Sequence, residues 1–507
     1  MEPQLITVES TSDQTEDLKR PLNLKRSFGA ALALWLTLVC WALSSPINAT
    51  PDEGYHIPSI WCGQGIQEPT CPAIPGNFDE NQVLVPDLSN LCFRRSVCNQ
   101  QSEHTLSRAP IAKYNYPKAY YWTMHNFVGP NMTQSVLAMR IFNAMIASLL
   151  FFSQAILCTN KKYLSWLTGF SFTVIPLGMS LIASINPSGW AITGIANSWM
   201  FLLIAKTMPK EERNKRIVSW VLWAFASFMC IASRFDATIF LVITNLIVLV
   251  ATDRRIKKLN WKYLIGFPAA ITLFFFVWRS RFPFLDWASQ FTTTPLNPNG
   301  PSLHIWITHW IINVVSIPIE AFGEGHLGAE IIYIPRIVPI LGIALLGSAL
   351  LFAFIQVNRM QIFVTVSSFM FMTVVVMRIA NMELDLFNVS GRYILPLVPY
   401  IVGSCVYFSS SPIQLMEVPQ LRRIVIVCMT IAHALSMYAV VEQNVMGTSF
   451  GIQILEVGTE EWWWTKSPIG PNFLIVIGSF CFYQFISHAW DRVPTKTFSV
   501  QQQDLQS

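Results

Sequence analysis

Charged side chains are scarce in this sequence. They make up 12% of its 507 residues, against about 25% in an ordinary soluble domain. That is too little polar surface to cover a soluble globule, and it excludes a disordered chain as well. The net charge of +5 is no basic patch for nucleic acid. Several motifs are also missing: GxxxxGK[ST], GxGxxG after a strand, HExxH and GxSxG. Nothing points to nucleotide chemistry, and there is no internal repeat or low-complexity tract. What the chain has is apolar: 52% of it is hydrophobic and 13% aromatic.

The apolar residues fall in runs. A bilayer core about 30 Å thick needs roughly 20 apolar residues of helix. Segments of about that length lie at 28–46, 136–158, 164–185, 189–205, 217–233, 237–251, 263–278, 337–357, 361–380, 393–410, 421–441 and 472–488. The expected fold is therefore an all-α polytopic membrane domain over 28–488 with about 12 transmembrane helices. Polar tails at 1–27 and 489–507 flank it. A signal peptide ending near Ser44–Ala49 is the other reading of the first run. The long acidic-containing tail before it argues for a retained span.

Short cytoplasmic loops collect Lys and Arg. Most of the 34 basic residues sit where this map puts the cytoplasm: Lys19, Arg20, Lys25 and Arg26; Lys161 and Lys162; Lys206 to Arg216; Arg254 to Lys262; Arg359; Arg422 and Arg423; Arg492 and Lys496. Both termini are expected inside, in the plasma (inner) membrane. Long stretches at 47–134, 279–336 and 442–470 are expected outside, carrying short helices. Cys62, Cys71, Cys92 and Cys98 fall in the first of these. Four clustered cysteines on an oxidising side suggest two disulfides. Three pairings are possible, and the local one, Cys62–Cys71 with Cys92–Cys98, is favoured over a zinc site.

Polar clusters on the outward side are the candidate site. Thr50-Pro51-Asp52-Glu53-Gly54-Tyr55-His56 follows the first span. Thr50-x-x-Glu53 has the form of a capping box with Pro51 at the first helical position. If Glu53 closes the cap, Asp52 is free in the first turn, ionised, and able to act as a base. Glu53 is the second candidate, and His56 a supporting hydrogen-bond partner. Ser233-Arg234-Phe235-Asp236 lies in a tight outward turn. There Asp236 either caps the next helix or contacts substrate. Gly391-Arg392-Tyr393 lies where the tenth run begins, and the Arg392 fork suits a phosphate. Asn186-Pro187-Ser188 is another outward turn. Tyr116, Tyr120 and Tyr121 belong to an aromatic patch that either stacks on sugars or lies on the bilayer surface. Glu330 is a possible second carboxylate.

Five of these segments together resemble a bacterial predicted-membrane-protein family, domain of unknown function 2142. They are Pro-Asp-Glu-x-x-His at 51–56, Tyr-Pro-x-x-Tyr-Tyr at 116–121, Asn-Pro-Ser at 186–188, Ser-Arg-x-Asp-Ala at 233–237 and Gly-Arg-Tyr-x-x-Pro-x-x-Pro at 391–399. That family in turn resembles the GT-C glycosyltransferases, polytopic enzymes that take a sugar from a polyprenyl-phosphate donor on the outer face. The resemblance implies a GT-C-like fold and an inverting transfer to a cell-envelope glycan or glycolipid. It implies Asp52 as base with Glu53 in reserve, and Arg392 on the donor phosphate with Arg234 or a divalent cation assisting. The sequence departs from the family around Gly328 and Glu330, which lack the expected Trp and Asp. Two other classes compete: a transporter of lipid-linked sugars or small molecules, and a non-catalytic scaffold of envelope assembly. A transporter would place ionisable groups near the membrane midplane, whereas here Arg140 and Arg378 are the main charges inside the expected spans and the acidic residues crowd the outer surface.

Overall fold

The computed structural model describes residues 24–47, 49–61, 82–84, 106–108, 116–253, 334–382, 391–411, 413–446 and 469–495, with 266, 322 and 332. Among them the chain is overwhelmingly helical, as apolar backbone in a bilayer must be: every N–H and C=O needs a partner within its own segment. The helices are α1 (Leu24–Ser44), α2 (Glu53–Trp61), α3 (Lys118–His125), α4 (Met132–Leu157), α5 (Asn160–Thr173), α6 (Met179–Ile182) and α7 (Pro187–Thr207). They continue with α8 (Arg213–Ser233), α9 (Phe235–Thr252), α10 (Ile337–Ala353), α11 (Arg359–Met382), α12 (Val398–Phe408), α13 (Pro419–Met446) and α14 (Pro471–Trp490). One small antiparallel ribbon, β1 (Gln82–Leu84) with β2 (Leu106–Arg108), pairs Val83 with Ser107.

Among the described residues, seven helices are long and apolar enough to cross a membrane. They are α1, α4, α7, α8, α9, α13 and α14. The expected span at 164–185 is instead a broken helix. Asn160–Phe172 and Pro176–Ile182 meet at 88° through a π turn, Val174–Gly178. Pro176 sits inside that turn, where its missing N–H already interrupts the ladder. The expected spans at 337–357, 361–380 and 393–410 fall on shorter apolar stretches, Ile337–Ala353, Arg359–Val375 and Leu395–Phe408. The one at 263–278 lies outside the described residues, as does nearly all of the loop at 279–336. The count of about twelve thus rests on sequence for its remainder.

Helix α7 is the centre, buried from Pro187 to Ala205 and packed on α8, α9 and α4. Small residues let the backbones close up, the usual device where lipid is as apolar as the side chains. A Cβ on Gly194 of α7 would meet Cys230 Sγ of α8 at 2.5 Å. A Cβ on Gly169 of α5 would collide with the Pro399 carbonyl of α12. Outward, α1 exposes Leu24, Phe28, Leu32 and Leu36, four apolar side chains at helical spacing. Helix α14 likewise exposes Phe473, Val476 and Phe480. Such stripes have no stable place in water and suit acyl chains.

The two ends of the bundle differ. At one end basic residues close the helix termini: Lys161 donates to Ser409 O, Arg492 to Cys158 O, and Arg422 to the carbonyls of Trp490 and Val493. At the other end lie the C-termini of α1 and α8, the N-termini of α7, α9 and α12, and the short helices α2 and α3. The polar motifs meet there.

Candidate functional site

The turn between α1 and α2 carries the first acidic pair, and its two carboxylates do different things. Asp52 is the described non-glycine residue with a left-handed backbone, φ 56°. Asp and Asn tolerate that region better than most residues. Its neighbours are tied down on both sides. Asn186 Nδ2 donates to Pro51 O at 2.8 Å. Glu53 is fully buried and takes a two-pronged ion pair from Arg140 of α4, Nε to Oε1 at 2.9 Å and Nη2 to Oε2 at 2.5 Å. The remaining Arg140 donors reach the carbonyls of Ala42, Ser45 and Pro46. A guanidinium has five N–H groups, and here all are used to lock the end of α1 and the start of α2 onto α4.

This corrects the capping-box expectation. The Glu53 N–H does bond Thr50 O, at 3.2 Å. The Thr50 hydroxyl, however, is buried without a partner among the described residues, and the Glu53 carboxylate is turned to Arg140. A single charge in an apolar run of 26 residues has to find a counter-charge. Glu53 meets that demand, so it is held away from any substrate.

Asp52, in contrast, is 44% exposed, and its Oδ2 lies 2.7 Å from Arg392 Nη1. Arg392 and Tyr393 stand in a single helical turn, Gly391–Tyr393, ahead of α12. Arg392 Nη2 contacts the Tyr393 hydroxyl at 3.3 Å, and its Nε is buried without a partner among the described residues. The guanidiniums of Arg234 and Arg392 lie 5.0 and 5.1 Å from the Tyr393 ring centre, within cation–π range. Arg234 grips Asp236 with its fork, at 2.9 and 2.7 Å, and donates from Nη1 to Ser188 Oγ. Asn186 closes the circuit, because its Oδ1 caps α7 on the Ser188 N–H at 2.8 Å. The interhelix turns thus form one linked ring running Pro51–Asp52, Arg392–Tyr393, Arg234–Asp236, Ser188–Asn186 and back to Pro51.

Behind the ring sits the aromatic wall. His56 Nδ1 is 2.9 Å from the Tyr121 hydroxyl, and Tyr116 packs edge-on to the imidazole at 5.8 Å. Tyr120 packs edge-on against Trp190, whose indole donates to Asn143. Tyr120 and Tyr121 are fully buried, so α3 is part of the bundle and not a helix lying free on a bilayer. Of its large aromatic side chains, Trp122 alone is exposed.

Electrostatics follow from the pairings. Burial alone would raise the Asp52 carboxyl, but the guanidiniums of Arg392 and Arg234 hold it below the ordinary value. Burial pushes the His56 imidazole down to about 3, against the pull of Asp52 and with the push of Arg392 and Arg234. His56 is therefore neutral near pH 7, a hydrogen-bonding group and not a cation. Burial likewise raises the Tyr116 hydroxyl. Burial opposes the charge on Arg392 and Arg234, and their aspartate partners restore it. Two arginines and two aspartates leave the ring with no net charge.

Of the residues singled out by sequence, the structure gathers Asp52, His56, Tyr116, Tyr120, Tyr121, Asn186, Arg234, Asp236, Arg392 and Tyr393 at one place, with Glu53 directly beneath. Glu330, Cys62, Cys71, Cys92 and Cys98 lie outside the described residues, as does the side chain of Arg378. Sequence reasoning noted Arg140 only as a charge inside a span, and missed Trp190 and Asn143. The signal for Arg140 was present: an intramembrane arginine needs an acid, and the acid sits at the outer mouth of the preceding span. Among the described residues no three His, Cys, Asp or Glu come together as metal ligands.

The family model of DUF2142, a predicted membrane protein, matches residues 34–401. That range takes in the whole ring and the Arg140 clamp. No curated protein and no solved structure matches the chain.

Proposed function

The chain belongs to the predicted membrane protein family DUF2142, and from that footing we propose that it is a membrane glycosyltransferase of the GT-C kind. It moves a sugar from a polyprenyl-phosphate donor to a cell-envelope glycan or glycolipid. One observation carries the reading: the exposed carboxylate of Asp52 lies 2.7 Å from the Arg392 guanidinium at the mouth of an apolar bundle. A base and a phosphate-binding fork side by side, at headgroup depth, are what transfer from a lipid phosphate needs. About twelve spans with both ends in the cytoplasm would put this mouth on the outer face of the inner membrane.

The reaction is a single displacement. The acceptor hydroxyl gives its proton to Asp52 as its oxygen attacks the anomeric carbon. The bond from that carbon to the phosphate oxygen breaks, and its electron pair leaves on the phosphate. Arg392 stabilises the charge gathering there, with Arg234 and Tyr393 fixing its orientation. Attack opposite the leaving group inverts the anomeric centre. General-base catalysis contributes about 10²–10⁴-fold, and stabilising the leaving phosphate adds a share of similar size. Half-buried Tyr116 and exposed Trp122 offer faces for sugar rings.

Transport is disfavoured by the state of Arg140. An intramembrane arginine that carries substrate must change partners, whereas this one has every donor engaged. The test is transfer by the purified full-length protein in lipid nanodiscs, supplied with a synthetic polyprenyl-phospho-sugar and envelope glycan acceptors. Sugar transfer by the wild type that is lost in Asp52→Asn supports the reading. Protein-dependent movement of the lipid-linked sugar across vesicles without transfer would replace it with a transporter. Neither activity would leave a scaffold.

A further inference from the structure

The anion seat on Arg392 is occupied in the free protein, and by the group the reaction needs elsewhere. Asp52 Oδ2 holds Nη1, the Tyr393 hydroxyl faces Nη2, and Nε is without a partner among the described residues. Arg234 offers no alternative seat, because its fork is on Asp236 and its remaining Nη1 contact is on Ser188. Nε is buried, which leaves a phosphate the Nη1–Nη2 edge of Arg392 for a two-pronged contact, and there it competes with Asp52 for Nη1.

We propose that the site is a carboxylate–phosphate exchange switch, in which the donor's phosphate takes Arg392 and thereby frees Asp52, so that donor binding precedes and enables activation of the acceptor. This rests on the glycosyl-transfer reading above. The backbone favours an exchange confined to the side chain. Pro51 is held by Asn186 and Glu53 by Arg140, so Asp52 can turn its carboxylate without moving the main chain. The chemistry favours it too. A carboxylate paired with a guanidinium is a weak base. Once the phosphate neutralises Arg392, Asp52 loses its cation and gains an anionic neighbour, and both changes raise its proton affinity. The base thus strengthens only when the leaving group is seated. An acceptor bound alone meets an Asp52 that is still tied.

The experiment is equilibrium binding of a short-chain polyprenyl phosphate carrying no sugar to the full-length protein in nanodiscs. Asp52→Asn removes the competing charge and keeps a residue suited to positive φ. It should bind the lipid phosphate about three- to tenfold more tightly than wild type, the scale of a half-exposed ion pair plus relieved repulsion. Arg392→Gln should bind at least about tenfold more weakly. Should Asp52→Asn fold poorly, Asp52→Gly makes the same test, since glycine takes this backbone without strain. Equal or weaker binding by the uncharged Asp52 variants, or unchanged binding by Arg392→Gln, overturns the switch. The probe requires no transfer, so the two readings fail separately. Tighter binding by Asp52→Asn in a protein that never transfers sugar leaves the carboxylate–phosphate exchange at Arg392 and removes the transferase. Transfer by a wild type whose Asp52→Asn variant binds no more tightly leaves the transferase and removes the switch.

Discussion

Adjacent carboxylates with opposite burial give a sharp prediction, because the same amide substitution should do opposite things at each. Glu53→Gln keeps the side-chain volume and removes the charge that balances Arg140. Glu53 and Arg140 are both 0% exposed. Breaking a buried pair from one side costs roughly 3–5 kcal/mol, because the remaining charge is stranded. The Gln amide oxygen and the Ala42, Ser45 and Pro46 carbonyls still accept from Arg140, so the loss should fall near the low end, about 3 kcal/mol. Asp52→Asn removes a pair whose carboxylate is 44% exposed. Screening reduces such a pair to about 0.2–1 kcal/mol, and Asn accepts the left-handed backbone. Its stability should therefore hardly change, while transfer should fall about 10²-fold or more for want of a proton acceptor. Thermal unfolding and initial-rate transfer, measured on both variants in the same nanodiscs, separate the outcomes. Glu53→Gln should melt well below wild type, yet its folded fraction should exceed Asp52→Asn in turnover by at least about tenfold. An inactive but fully stable Glu53→Gln beside an active Asp52→Asn would refute the reasoning. It would make Glu53 the base, and its burial no guide to its task.

Arg392→Lys keeps a charge but loses the planar fork, so donor affinity or turnover should fall about tenfold or more, corresponding to about 1.4 kcal/mol or more. A fully active Lys variant would mean that Arg392 only anchors its turn. The Asp52 carboxyl is held below its ordinary value, so its ionised form persists below the unfolded value of about 3.9. On the proposed function, sugar transfer should then decline only as pH falls beneath the usual carboxylate range, and Arg392→Gln should move that limb upward in a pH–rate profile. His56, depressed to about 3, binds its proton more weakly folded than unfolded. Its contribution to stability should be complete above about pH 6.5 and be lost as pH falls toward the folded value; unfolding midpoints of His56→Asn across that window should be flatter than those of wild type. For topology, single cysteines at positions 110 and 258 should label from opposite faces of intact cells, and labelling of both from one face would reverse the charge-based map.

The ring was legible in the sequence because each member sits in a short polar turn between apolar runs, where a polar cluster has few structural reasons to exist. Asp52, Asn186, Arg234 and Arg392 are separated by up to 340 positions of chain, yet topology alone brings their turns to one end of the bundle. The partners within the ring could not be read this way. Thr50-x-x-Glu53 satisfies a local rule for helix starts, worth about 1 kcal/mol, and local rules see only neighbours in the chain. Arg140 stands 87 residues from Glu53 and imposes a demand several times stronger, since an unpaired guanidinium inside a bilayer has nowhere else to turn. Arg140 therefore took the carboxylate, and the Thr50 hydroxyl was left without a partner among the described residues. The same competition explains the division of labour in the acidic pair. Once Arg140 claims Glu53 and fixes the backbone on that side, Asp52 is the carboxylate left at the mouth. Its left-handed φ turns it away from the buried clamp and toward Arg392. A charge buried in the second span thus selects which of two adjacent acids stays exposed at the mouth, paired with Arg392.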